Sequence, residues 1–177
     1  SAKRAVALTK RFPSVYASVG VHPNEAKTIP EVAELEVLAS DPKVVAIGET
    51  GLDFYRDYAP EDTQRAWFEA QIALARRVKK PLIIHSRDAG EYCLETLKRC
   101  GAEEVGGVFH CYAENAEFAK RLADMNFIVS FPGSITFKKA NELRETVKAI
   151  PLEWIMIETD APYLAPEPHR GKRCESA

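Results

Sequence analysis

Alternation is the feature that most constrains this chain. Six short runs rich in apolar and β-branched residues, Val15 to Val21, Val44 to Gly48, Leu82 to Ile84, Val105 to Phe109, Phe127 to Phe131 and Trp154 to Ile157, are separated by segments of helical spacing. Most runs are continuous rather than alternating, as strands buried on both faces of a parallel sheet are. The clearest helical segment, Glu61 to Lys80, repeats Trp67, Ala70, Leu74 and Val78 along one face, with Pro60 before it and Pro81 after. Asp88 and Glu91 have the spacing of a capping box ahead of Tyr92, Leu94 and Leu97. Phe118, Leu122 and Met125 form another stripe, Leu143, Val147 and Ile150 a further one, and Ala2 to Lys10 reads as an opening helix. Strand following helix throughout demands a parallel α/β sheet, open or closed.

Length then narrows the choice. A strand-plus-helix unit takes roughly 30 residues, so six units fill the chain, whereas the eight of a (β/α)8 barrel need about 240. The expectation is one domain over residues 1–177: a partial TIM (β/α)8 barrel with about six of eight strands, the opening strands and last helix missing. Apolar content of 46% with a formal net charge of −2 excludes a disordered chain. No apolar run nears the ~18 residues of a membrane span, and the basic start has too short an apolar stretch for a secretory signal. Cys93 and Cys100 would lie roughly 10.5 Å apart on one helix, too far to bridge. Reduced thiols and a cytoplasmic location follow, with no membrane partner and no obligate protein partner. The near-neutral balance requires any nucleic-acid affinity to come from a local patch.

The chemistry collects at strand ends. Glu49 follows VVAIG, His85 follows LII, His110 follows GGVF, Asp160 comes two residues after WIMIE, and His22 follows VGV. In a barrel those ends converge on one face, where active sites are built. A single His or Asp after a strand is commonly a satisfied turn residue or a cap. Five such turns each bearing a ligand-type residue point to a joint site. Mixed imidazole and carboxylate donors suit Zn²⁺ or Mn²⁺, Mg²⁺ preferring more oxygen. Hydrolysis by metal-activated water is the matching reaction class; spacing leaves open which carboxylate bridges metals and which takes the proton.

Five motifs together, Gly20-Val-His-Pro23, Ile47-Gly-Glu-Thr-Gly-Leu-Asp53, Pro81-Leu-Ile-Ile-His-Ser-Arg-Asp88, Phe109-His-Cys-Tyr112 and Ile157-Glu-Thr-Asp-Ala-Pro-Tyr163, resemble the TatD-type metal-dependent deoxyribonucleases of the amidohydrolase superfamily. The resemblance covers nearly the whole chain. It implies a TIM barrel, two divalent ions (Zn, Mn or Mg) and hydrolysis of phosphodiester bonds in DNA, single-stranded or at ends, often exonucleolytic. It further implies Glu49 as the metal-bridging carboxylate and His85 and His110 as ligands of one ion. Asp160 is implied to bind metal and to orient or deprotonate the attacking water, with His22 and Arg87 beside the substrate phosphate. Asp53 reads as a residue that orients a ligand or the turn. Tyr112 and Tyr163 are candidates for base stacking or for core packing, Asp88 for a helix cap, and Arg170 in His169 to Arg173 for a phosphate contact or a solvated basic loop. The family's opening strand ends in His-x-His, which occurs nowhere in these 177 residues, so the first metal site is expected to be incomplete. Two alternatives accompany this reading: a metallohydrolase of a small lactone, amide or amine, and a catalytically impaired fragment.

Overall fold

The computed structural model describes residues 2–28 and 31–175. Six strands, β1 (Ala17–Val19), β2 (Val44–Asp53), β3 (Leu82–Arg87), β4 (Gly107–Phe109), β5 (Phe127–Phe131) and β6 (Ile155–Ile157), follow one another in chain order across the sheet. The helices between them are α1 (Ala2–Arg11), α2 (Ala33–Ala39), α3 (Glu61–Val78), α4 (Gly90–Arg99), α5 (Ala116–Ala123) and α6 (Asn141–Ala149). The parallel α/β fold expected from the alternation is therefore present. The chain divides into two compact units, one up to Val108 and one from Phe109 onward. Among the described residues, no helix is long and apolar enough to cross a membrane.

In the first unit, β1 and β3 both pair in parallel with β2. Val19, Ile47, Leu52, Leu82 and Ile84 are buried in the sheet, and Phe68, Ile72 and Leu74 are buried on α3, which packs on β2. Each such side chain contributes roughly 1.5–3 kcal/mol by leaving water. Glu61 and Asp62 in the first turn of α3 and Arg76 and Arg77 in its last oppose the helix dipole. The helix stops at Val78, the last apolar position of its stripe and two residues short of the Glu61–Lys80 segment read from the sequence, because Lys79 turns left-handed (φ 53°) and donates its N–H to Ala75 and Arg76 carbonyls.

The buried face of α3 departs from the stripe read in the sequence. It includes Gln64 and Gln71, at 1% and 0% exposure, while Ala70 and Val78 lie at its margin. Seven residues apart, the two amides share one helix face and act as surrogate backbone partners. Gln71 Oε1 accepts the Val21 N–H at 2.7 Å, and its Nε2 donates to Val21 O at 3.0 Å and to Thr50 Oγ1 at 2.8 Å. Gln64 Oε1 accepts the Asp53 N–H at 2.9 Å, and its Nε2 donates to Asp53 O at 3.2 Å and Ala59 O at 2.9 Å. The chain is thereby fixed where it leaves β1 and β2.

The expected capping box also differs. Helix α4 starts at Gly90 with Ala89 as its N-cap and no side-chain cap, since Asp88 takes a left-handed conformation (φ 52°) one residue too early to cap it.

In the second unit, β5 pairs in parallel with β6. Phe109 stacks edge-on against Phe118 of α5 and Phe127 of β5, with centroids 6.2 and 5.9 Å apart. Asn115 caps α5 by accepting the Phe118 N–H at 2.9 Å.

Gln71→Leu is expected to destabilise the protein by about 2–4 kcal/mol in urea unfolding, because the Val21 N–H and C=O and the Thr50 hydroxyl lose partners away from water. A change below ~0.5 kcal/mol, as for an ordinary surface substitution, would refute the surrogate-partner role.

Candidate metal centre

Glu49 and His85 lie inside their strands rather than after them. Strand β2 runs on to Asp53 and β3 to Arg87, past the ends that the apolar runs mark. The continuation is polar and so carries no hydropathy signal, yet it pairs fully: Gly51 with His85, Leu52 with Ser86, Asp53 with Arg87. A one-residue bulge interrupts the register between Ile47 and Thr50, re-aiming the segment that carries Glu49. From there Glu49, Gly51 and Asp53 share one face. Gly51 stands opposite His85, where a Cβ would lie 2.0 Å from the His85 carbonyl oxygen, at a φ of 131° that other residues rarely adopt. Only glycine leaves room for His85 to span its two acidic neighbours.

That span is the centre of the first cluster. His85 Nε2 lies 3.2 Å from Asp53 Oδ2, and Nδ1 lies 2.9 Å from Glu49 Oε1. Asp53 is 1% exposed, and its Oδ1 also accepts the N–H groups of Tyr55 (3.1 Å) and Arg56 (2.9 Å). A carboxylate so placed can accept a hydrogen bond from Nε2–H and so orient the ring. Both ring nitrogens of His85 thus lie within hydrogen-bond distance of a carboxylate oxygen, Glu49 on one side and Asp53 on the other. Imidazole and carboxylate ligand atoms gathered this closely are a donor set that fits a divalent cation.

His22, third member of the first group of possible ligands with Glu49 and His85, is oriented differently. It lies three residues past β1, and its Nδ1 accepts the Asn24 N–H at 3.1 Å. With Nδ1 accepting, Nε2 is the nitrogen that faces Glu49, 3.4 Å from its Oε1. In this arrangement His22 is a donor toward anionic oxygen, not a ligand.

In the second unit His110, Cys111 and Glu158 form another possible donor group. Glu158 Oε1 accepts the Ser130 hydroxyl at 2.6 Å and the Cys111 N–H at 2.5 Å, and Oε2 lies 3.6 Å from His110 Nδ1. Burial pushes the Glu158 carboxyl up, but His110, Ser130 and the Cys111 N–H outweigh it and hold its pKa down to about 2. With Glu158 drawing the Nδ1 proton, the His110 lone pair sits on Nε2, repeating the Asp53–His85 logic. Burial pushes the Cys111 thiol up against the pull of His110, which disfavours the thiolate that ligation requires.

Glu158 is absent from the site expected on sequence grounds, although its position directly after the last strand, in Glu158-Thr-Asp160, is the same signal that singled out the others. Asp160 lies half-buried two residues on, and its carbonyl accepts the Tyr163 N–H at 2.7 Å. Tyr112 is 3% exposed, donates its hydroxyl to Asn115 O at 2.7 Å and packs edge-on against Phe131, so of its two candidate roles it occupies the core. Tyr163 is exposed. Arg170 is exposed with its guanidinium 4.2 Å over the Phe137 ring, and Arg87 is exposed 3.8 Å over the Tyr55 ring. The four cysteines are free thiols.

Comparison with known proteins places this geometry in context. Residues 1–177 match the family described as TatD related DNase. The uncharacterized metal-dependent hydrolase YabD of Bacillus subtilis is 47% identical, over 97% of this chain and 68% of its own length. YcfH of Escherichia coli K12, likewise named a metal-dependent hydrolase, is 43% identical over 93% of this chain and 62% of its own length. The 3'-5' ssDNA/RNA exonuclease TatD of Klebsiella pneumoniae is 36% identical over 93% of this chain and 64% of its own length. Among solved structures, the TatD homolog YJJV of Escherichia coli superposes with a TM-score of 0.90 at 28% identity, covering 98% of this chain and 68% of that one. The chain thus spans about two thirds of the length of these relatives. On the whole-chain family match and these identities, the chain belongs to the TatD-related family of metal-dependent hydrolases.

Proposed function

We propose that this chain carries metal-binding residues of a divalent-metal-dependent phosphodiesterase that acts on DNA, single-stranded or at ends. The observation that carries the reading is the Glu49–His85–Asp53 arrangement, an imidazole held between two carboxylates, one of which, with His85, belongs to a group of possible metal ligands. The name of the Klebsiella relative supports the choice of substrate. In this reading Glu49 and His85 are ligands in the first unit, and His110 and Asp160 in the second. Two ions, of zinc, manganese or magnesium, are the family's expected complement. A bound divalent ion would supply Lewis acidity toward a phosphoryl oxygen and make water acidic enough to attack near neutral pH.

The chain's own residues supply the rest. Asp53 and Glu158 keep protons on the outer nitrogens of His85 and His110, so that each ring presents a lone pair. Asp160 accepts the proton of the attacking water as its oxygen bonds to phosphorus and the bond to the leaving oxygen breaks. His22 Nε2–H and the Arg87 guanidinium donate to phosphate oxygens, the latter in the bidentate manner a planar fork permits.

Glu49→Ala and Asp160→Asn are each expected to abolish Mn²⁺-dependent release of nucleotides from single-stranded DNA; wild-type rates in both would end the proposal. Binding to DNA should weaken as salt rises, since phosphate contacts release counterions, whereas a small neutral substrate would show little change. Asp53→Asn is expected to weaken metal binding by about 10–100-fold, read by titration with Mn²⁺, with the fold retained.

Acid stability follows from Glu158. A carboxyl whose folded pKa is lowered from 4.5 to about 2 contributes stability that is complete above pH 4.5 and lost as pH falls toward 2. Glu158→Gln is therefore expected to flatten that part of the stability profile in metal-free urea unfolding. A slope equal to that of wild type would contradict the bonding described for Glu158.

A further inference from the structure

We propose that the turn after β2, with Arg65, Arg87 and Tyr92, is a stacking platform for unpaired bases of a single-stranded nucleic acid. The proposal rests on the phosphodiesterase reading and specifies where the strand beyond the reacting phosphate is held. Tyr55, Tyr58 and Tyr92 expose 59%, 56% and 49% of their surface. Arginines meet all three rings, and Tyr92 also packs edge-on against Phe54 with centroids 5.3 Å apart. Arg87 lies 3.8 Å over Tyr55, Arg65 lies 4.7 Å over Tyr92 and 5.1 Å over Phe54, and Arg56 lies 5.6 Å from both Tyr55 and Tyr58. Arg56 Nη1 also donates to the Tyr58 hydroxyl at 3.1 Å.

A guanidinium stacked on a ring keeps its N–H edge available for phosphate, while the ring presents a face to a base. Flanking acids, Asp57, Glu61 and Asp62, offset the arginines, and Arg65 lies 3.5 Å from Glu61. Attraction at this surface is therefore short-ranged stacking rather than a field acting on any polyanion. Duplex bases have both faces occupied, so unpaired strands alone can use it.

The platform is also continuous with the metal cluster. Asp53, which accepts from His85, accepts the Tyr55 and Arg56 N–H groups through its other oxygen. Phe54 N–H donates to the Arg87 carbonyl at 2.9 Å. Rings and guanidiniums are thus held in fixed register with the first cluster.

The test is fluorescence anisotropy with the full chain in chelator, comparing a short labelled oligodeoxythymidylate with an abasic strand of equal length. Wild type is expected to prefer the strand with bases by about tenfold or more. Tyr55→Ala/Tyr58→Ala is expected to lose that preference, and Tyr55→Phe/Tyr58→Phe to keep it. Equal or undetectable binding of the two strands by wild type, or a preference surviving loss of both rings, overturns the platform. Hydrolysis is measured separately: a wild type that cleaves DNA with Mn²⁺ yet lacks base preference removes only this inference, whereas one that cleaves no DNA removes the phosphodiesterase reading itself.

Discussion

Asp53 is the residue on which the first unit's chemistry depends. One carboxylate oxygen faces His85, the other gathers the N–H groups of Tyr55 and Arg56, and the backbone on both sides of the residue is held by Gln64. A buried carboxylate is expensive unless its lone pairs are matched. Here the matching donors are the groups whose positions matter. The same carboxylate organises a ring nitrogen, a turn and a strand end at once. Neutralising Asp53 would therefore release the His85 tautomer and the turn together, a coupling no pairwise contact would show.

The geometry around Asp53 rests on an omission. Gly51 has no side chain where one would obstruct His85, and the bulge two residues earlier turns Glu49 toward the same imidazole. Glu-x-Gly-x-Asp along a strand gives two acids on one face with a gap between them. The paired strand fills the gap with a single ring in contact with both. The second unit reaches a similar histidine by other means, with Glu158 fixed by a hydroxyl and a backbone N–H rather than by a turn. The shared element is chemical: a carboxylate that fixes which nitrogen bears the proton.

Much of this was legible in the sequence, because apolar runs report burial. The order of strands and helices follows from them, and five of the chemically competent residues stand at or just beyond their ends. What hydropathy conceals is polar structure inside the fold. The last part of β2, from Glu49 to Asp53, reads as a turn since its stability comes from pairing with β3 rather than from apolar side chains. Gln64 and Gln71 break the apolar stripe of α3 while sitting on its buried face, as their amides replace backbone partners. Glu158 escaped notice beside Asp160 because spacing cannot say which of two nearby acids meets a histidine. Aromatic residues leave burial open in the same way: Tyr112, readable as core or as stacking surface, packs with Phe131, whereas Tyr55 and Tyr58 are exposed.

The formal net charge of −2 bears on how such a chain would select its substrate. A broad basic face would attract any nucleic acid, duplex or not, through counterion release. Without one, discrimination passes to contacts that only some strands can make. In the proposed reading a bound ion and the imidazole N–H would address the phosphate, which duplex and single strand share. Exposed rings address base faces, which only unpaired nucleotides offer. Asp53, which faces His85 with one oxygen and accepts the backbone N–H groups of the turn on the other, would then join the two kinds of contact. In the proposed reading, preference for unpaired DNA is then a property of the β2 terminus rather than of the protein's overall field.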